Sequence, residues 1–146
     1  GDLILDKYDN VYILELATRL SGGDFCETII PLSLEKDYMK LCIENSLNKL
    51  SSKNFPKIIF KKFVANRYFS PMKSGIVKKI LIKKKLKNKN WLHKFDLFYK
   101  VGDSYKKPTS HSERFGVFVV SSKNIYELNK RINYIYNSVK IDIKNG

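Results

Sequence analysis

The chain has 146 residues, 43% of them hydrophobic and 13% aromatic, enough apolar material for one domain or two small lobes, which excludes wholesale disorder. Its 28 lysines and arginines against 14 acidic residues give a formal charge of +14, which points toward nucleic acid or a membrane surface. Arg19, Arg67, Arg114 and Arg131 are the only arginines, however, so the side chain that reads phosphates and base edges in forked geometry is scarce, which counts against nucleic acid. Abundant lysine, asparagine, isoleucine and tyrosine, with Ala17 and Ala65 the only alanines, is the bias of an AT-rich genome. No run of about 18 apolar residues occurs, so no membrane span is expected. The opening GDLILDKYDN has neither the basic nor the apolar region of a signal peptide, and reads as a strand cut from a longer chain.

In chain order, DLILD and VYILEL around the turn-forming KYDN predict a β-hairpin, Asp2–Asp6 and Val11–Leu16. Leu14 and Leu16 fall on the face opposite Glu15. A glycine-containing loop follows, Ala17–Asp24. A short helix begins near Phe25; proline fits poorly in a helix interior, so it ends near Ile30 or gives way to a new turn at Pro31. Met39, Cys42 with Ile43, Ser46 with Leu47, and Leu50 recur at helical spacing and predict a helix over Lys36–Leu50. SSKNFP (51–56) breaks the pattern and marks a boundary between two lobes, 1–54 and 55–146. Cys26 and Cys42 lack metal-ligand spacing and read as reduced, buried thiols of a cytoplasmic protein, with a disulfide as the alternative.

The texture then turns to β. KIIFKKFVANRYF (57–69) and IVKKILI (76–82) flank the turn SPMKSG, and the charge run KKKLKNKN (83–90) reads as a solvated hairpin tip or, alternatively, a polyanion contact. LHKFDLFYKV (92–101) and RFGVFVVS (114–121) complete an antiparallel set. Ser122 can cap a helix to about Lys140, with Ile125, Leu128, Ile132, Ile135 and Val139 as its apolar stripe; KIDI is a candidate last strand. The fold class is α+β.

The chemistry concentrates near Glu15. Its apolar run is expected to be a buried strand, where the carboxylate is costly unless paired or metal-bound. Arg19 offers an ion pair. Asp2, on the neighbouring strand, offers a second carboxylate, and two converging carboxylates call for a cation such as magnesium. Both readings stand on the residues alone. Ser21-Gly22-Gly23, leading into a helix, suits phosphate, because glycine lets backbone N–H groups close on an anion.

GDLILD…VYILELATRLSGG resembles the end of an ATP-grasp domain, in the branch with a Glu-Leu-Ala-x-Arg-Leu-Ser-Gly-Gly signature, often labelled carbamoyl-phosphate-synthase-like. ETIIPLSLEKDYMKLCIENSLN is similar to the helical stretch that follows it. ANRYFSPMKSGIVKKI resembles the opening of the C-terminal lobe, and the run from VGDSYKKPTSHSERFG to KIDI its end. The resemblance covers nearly the whole chain in order. It implies the C-terminal portion of an ATP- and magnesium-dependent ligase: the end of the catalytic domain, then a small antiparallel β lobe closed by a helix. Such enzymes activate a carboxylate as an acyl phosphate and join it to an amine or similar nucleophile. By the same resemblance Asp2 and Glu15 match the metal ligands, Arg19 the arginine facing the transferred phosphate, Arg67 a substrate-facing arginine of the C-terminal lobe, and Ser21, Gly22 and Gly23 the loop lining the acceptor site. Two magnesium ions are implied. The asparagine ligand is Ala17 here, however, which puts the second ion in question, and the small-Gly pair before the second helix is Leu34-Glu35. The family's ATP-binding lobe would precede Gly1, so this portion alone is expected to be inactive, its partners being the upstream part and, as in relatives that dimerise, a second copy.

The remaining residues read more plainly. His111 and Arg114 are expected to pack and cap a turn, His93 to be a surface or core histidine, and Trp91, Phe95, Phe98 and Tyr99 to be core and rim residues rather than base-stacking platforms. Two other functions stay open: a basic β-rich module for nucleic acid or another polyanion, and a degenerate ATP-grasp lobe kept for interaction.

Overall fold

A computed structural model describes residues 1–17, 20–51, 53, 56–86 and 88–144. Strands β1 (Asp2–Leu5) and β2 (Val11–Glu15) form the expected antiparallel hairpin. Its turn is held by the Asp6 carboxylate, which accepts from the amides of Tyr8 (2.7 Å) and Asn10 (3.0 Å) and from Asn10 Nδ2 (3.0 Å). These bonds, that of the Asn10 side chain foremost, hold the Asp6 carboxyl below its ordinary pKa. Every residue of both strands is exposed. The expectation of a buried strand around Glu15 is therefore corrected: no described element covers either face of the hairpin enough to bury a residue.

After the loop, the backbone turns through a π-helical segment, Phe25–Ile29, into α1 (Ile30–Leu34). Pro31 sits in the first turn of α1, where its missing N–H costs nothing, so of the two expectations the new turn at Pro31 is the one realised. Helix α2 (Tyr38–Ser46) is shorter than its pattern suggests. The Asp37 side chain caps it by accepting from Lys40 N (2.9 Å), and Asn48 in the left-handed region (φ 55°) stops it. Half of the predicted boundary at 51–56 lies outside the described residues.

Two three-stranded antiparallel sheets follow. Strands β3 (Phe63–Phe69), β4 (Gly75–Ile82), β5 (Leu92–Leu97), β6 (Ser104–Tyr105), β7 (Gly116–Ser122) and β8 (Val139–Lys144) pair in the orders β3-β7-β5 and β6-β4-β8. Helix α3 (Ile125–Tyr136) lies between β7 and β8 in sequence. Its cap is Asn124, which accepts from Glu127 N (2.8 Å), not Ser122, which belongs to β7. Val139 likewise leaves the predicted helical stripe and opens β8. Residues 57–62 are not strand; Lys61 N and Lys62 N bond to Ser33 O (2.8 and 3.2 Å), tying this segment to α1.

The core lies between the sheets and α3. Phe118, Val120, Tyr105, Phe115, Ile135 and Leu86 are fully enclosed, and each large apolar side chain so buried stabilises the fold by about 1.5–3 kcal/mol. Phe69 meets Phe95 and Phe118 at ring centroids 6.0 and 5.3 Å apart, and Tyr136 of α3 meets Phe69 and Phe118 edge-on. This fixes which face of β3-β7-β5 is the core face. Trp91, Phe95 and Tyr99 pack against the core, while Phe98 stays at the rim. The 83–90 run is not the expected hairpin tip: it leads from β4 in one sheet to β5 in the other, and its described part holds a 3-10 turn, Lys84–Leu86, with Leu86 wholly buried.

Candidate functional site

The hairpin register sets Asp2 directly opposite Glu15, with the pairing shifting between Asp2 and Leu3. Like charges opposite each other on a hairpin destabilise it, so both carboxylates at one end, exposed and without a cationic partner among the described residues, make a place where a cation is favourable. Two carboxylates suit magnesium, which takes one or two protein ligands and completes its octahedron with water and phosphate oxygens. No group of three or more His, Cys, Asp or Glu side chains with metal-binding geometry exists among the described residues. Ala17 supplies no side-chain donor. Arg19 lies outside the described residues.

Ser21, Gly22 and Gly23 form an exposed loop held from three sides. The buried Cys26 thiol donates to Ser21 O (3.1 Å), Asn66 Nδ2 on β3 donates to Gly23 O (3.2 Å), and Lys94 Nζ on β5 pairs with Asp24 Oδ1 (2.7 Å). Gly23 (φ 70°) and Asp24 (φ 69°) are both left-handed, which only the glycine adopts without cost. The Asp24 carboxylate caps no helix N–H; it is spent on Lys94, whose ammonium pKa is raised chiefly by that hydrogen bond. Cys26 and Cys42 are both free; Cys42 is only half-buried, which corrects the expectation of two buried thiols.

Asn66, Val119 and Lys94 lie in register across β3-β7-β5, on the face opposite the Phe69–Phe118 core. That face receives the loop. Arg67, one residue on, falls on the other face in register with Phe118; it is exposed, bonds to Asn66 O through Nη1 (3.0 Å), and its charge reaches Tyr136. The side chains of β3 that approach the loop are thus Asn66 and, two residues on, Tyr68, whose hydroxyl accepts from Asn66 Nδ2 (3.0 Å). Asn66 Oδ1 is buried beside them without a hydrogen-bond partner, at a cost of about 1–3 kcal/mol. Sequence reasoning missed Asn66, although an asparagine inside a β-rich run is a disfavoured choice that could have flagged it. His93, on β5, bonds through Nε2 to Ser121 Oγ (2.7 Å), and desolvation more than the nearby Lys62 lowers its pKa.

No family model matches the chain, and neither does any curated protein. Among solved structures it is similar to phosphoribosylglycinamide synthetase from Anaerococcus prevotii, with a TM-score of 0.75 and 21% identity over 97% of this chain and 36% of that one. It is also similar to L-amino acid ligase from Bacillus licheniformis, with a TM-score of 0.77 and 22% identity over 98% of this chain and 35% of that one. The chain therefore spans about a third of the length of each.

Proposed function

We propose that this chain, which has the fold of a portion of the ATP-grasp ligases, is the C-terminal segment of an ATP- and magnesium-dependent ligase that joins an activated carboxylate to an amine or similar nucleophile. The carrying observation is the opposition of Asp2 and Glu15 at the hairpin end that leads into the Ser21–Gly23 loop. In this reading residues 1–54 close the catalytic domain, residues 55–146 form the C-terminal lobe, and the ATP lobe belongs to a longer protein.

Asp2 and Glu15 would hold magnesium, and a bound ion supplies charge neutralisation at the transferring phosphoryl oxygens. The chain's own residues supply the rest. The loop offers backbone N–H groups to an oxyanion at a fixed position, because Cys26, Asn66 and Lys94 hold its carbonyls and flank. Arg19 would face the transferred phosphate. Arg67, at the sheet edge, would reach substrate only from the side of Tyr136.

The test is ADP release by the full-length protein with ATP, magnesium and a panel of carboxylates and amines. Activity should appear with one acid–amine pair and fall at least a hundredfold in Glu15→Gln. No ADP with any pair, or an undiminished rate in that variant, refutes the reading.

A further inference from the structure

On the loop side of the β lobe, Ser70, Pro108, Thr109, Ser110, His111 and Arg114 line an open cup of about 510 Å³. We propose that this cup is an oxyanion subsite, with Arg114 as the residue that binds the carboxylate or phosphate group of a small molecule.

The argument starts from the guanidinium. Arg114 is partly buried, yet it forms no salt bridge with any described carboxylate. Its neighbour Glu113 is committed elsewhere: that carboxylate accepts from Thr109 N (2.6 Å), Thr109 Oγ1 (2.9 Å) and Ser110 N (3.2 Å), closing the capping box of the turn. Arg114 is instead held by neutral groups. Its Cζ stands 3.5 Å from the centre of the Tyr68 ring, and Nη2 donates to His111 Nδ1. Stacking and one hydrogen bond fix the plane of the fork while leaving its charge uncompensated, a preorganised receptor for a planar or tetrahedral oxyanion. A volume of this size accommodates a small-molecule group.

The position adds weight. Tyr68 is linked through Asn66 to Gly23 O, so a tyrosine ring and the Asn66 amide stand between Arg114 and the glycine loop. A ligand with an anionic tail in the cup can present its other end to that loop. The subsite rests on geometry alone; its service to a ligase substrate rests on the function proposed above. Of the packing and capping expected of His111 and Arg114, the packing is theirs, with Arg114 on Tyr68, while the capping falls to Ser110 and Glu113 and leaves the Arg114 charge unpaired among the described residues.

The test is an NMR titration of the whole ¹⁵N-labelled chain with inorganic phosphate and, separately, acetate, at constant ionic strength. Saturating shifts are expected at the Arg114 side-chain N–H and at the amides of 109–114, tighter for the oxyanion the cup prefers. Affinity should fall at least tenfold in Arg114→Gln and less in Arg114→Lys, which keeps the charge and loses the fork; Lys40→Gln should change nothing. Non-saturating shifts spread over the lysine-bearing segment 83–85, or unchanged affinity in both Arg114 variants, overturn the proposal. Saturation of the cup in a protein that never forms ADP leaves the subsite standing and removes the ligase reading; ADP formation with a silent cup does the reverse.

Discussion

Lys94 shows how a single side chain can carry structure to a site without touching it. Its ammonium spans from β5 to Asp24, the residue that ends the glycine loop in left-handed backbone. The two side chains are 31% and 18% exposed, so the pair is worth at most about 1 kcal/mol, yet it decides where the loop stands. The hydrogen bond to Asp24 raises the lysine pKa in the fold. A raised folded value means that the stabilisation is fully present below the unfolded lysine value of roughly 10.4 and is lost as pH rises through the folded one. The pair is therefore intact throughout the neutral range. In a ¹³C titration of lysine side chains, Lys94 should lose its proton after the exposed lysines. Lys94→Met should speed amide exchange at Thr28 and Ile29, whose N–H groups bond to Asp24 O, and lower the Tm by about 3 °C. Titration together with the bulk lysines and unchanged exchange in the variant would remove the clamp from the account.

At the scale of elements, Gly116 opens the central strand of a sheet at a point where a side chain would be crowded. It enters β7 between β3 and β5, paired with Phe69 on one side and Leu97 on the other. A Cβ there would lie 2.5 Å from Asp96 O and 2.7 Å from Leu97 Cδ2. Gly116→Ala should cost about 1–3 kcal/mol in urea unfolding, as overpacking does; a neutral result would mean that β5 moves aside freely. The hairpin, the helix at Tyr38–Ser46 and five of the six strands after it were legible because their periods of two and near four survive in the residues themselves. Strand β6 was not, since two residues carry no period. The ends of α3 were misplaced because Val139 serves a helical stripe and a strand equally well. In the site, the opposition of Asp2 and Glu15 followed from a short hairpin. Asn66, Lys94 and Arg114 did not, because their roles depend on which face of β3 meets a loop more than 40 residues earlier, as the Asn66–Gly23 separation of 43 shows.

At the scale of the whole molecule, the apolar surface is distributed in an unusual way. Leu3, Ile4, Leu5, Val11, Tyr12, Ile13, Leu14 and Leu16 are 50–69% exposed, on both faces of the hairpin. An open groove of about 650 Å³ along α2, bordered by Ala17 and Leu20, continues that surface. Single-chain domains rarely expose contiguous apolar patches beyond a few hundred Å². The chain spans about a third of the ligases it resembles, and in the proposed reading the rest of such an enzyme covers these residues. By itself the chain should then associate through the hairpin. Its charge of +14 opposes this at low salt. Screening removes the repulsion, and apolar contact does not weaken with salt, so association measured by sedimentation should rise with ionic strength. Leu3 and Ile13 face each other across the hairpin and bury nothing in the β lobe, so Leu3→Lys with Ile13→Lys should abolish association while leaving the Tm of the lobe unchanged. Polyanion binding through the lysine run at 83–85 would run the other way, weakening with salt and indifferent to these two residues. A chain that stays monomeric at every salt concentration, or a double variant that associates as before, would show that the hairpin is no such seam.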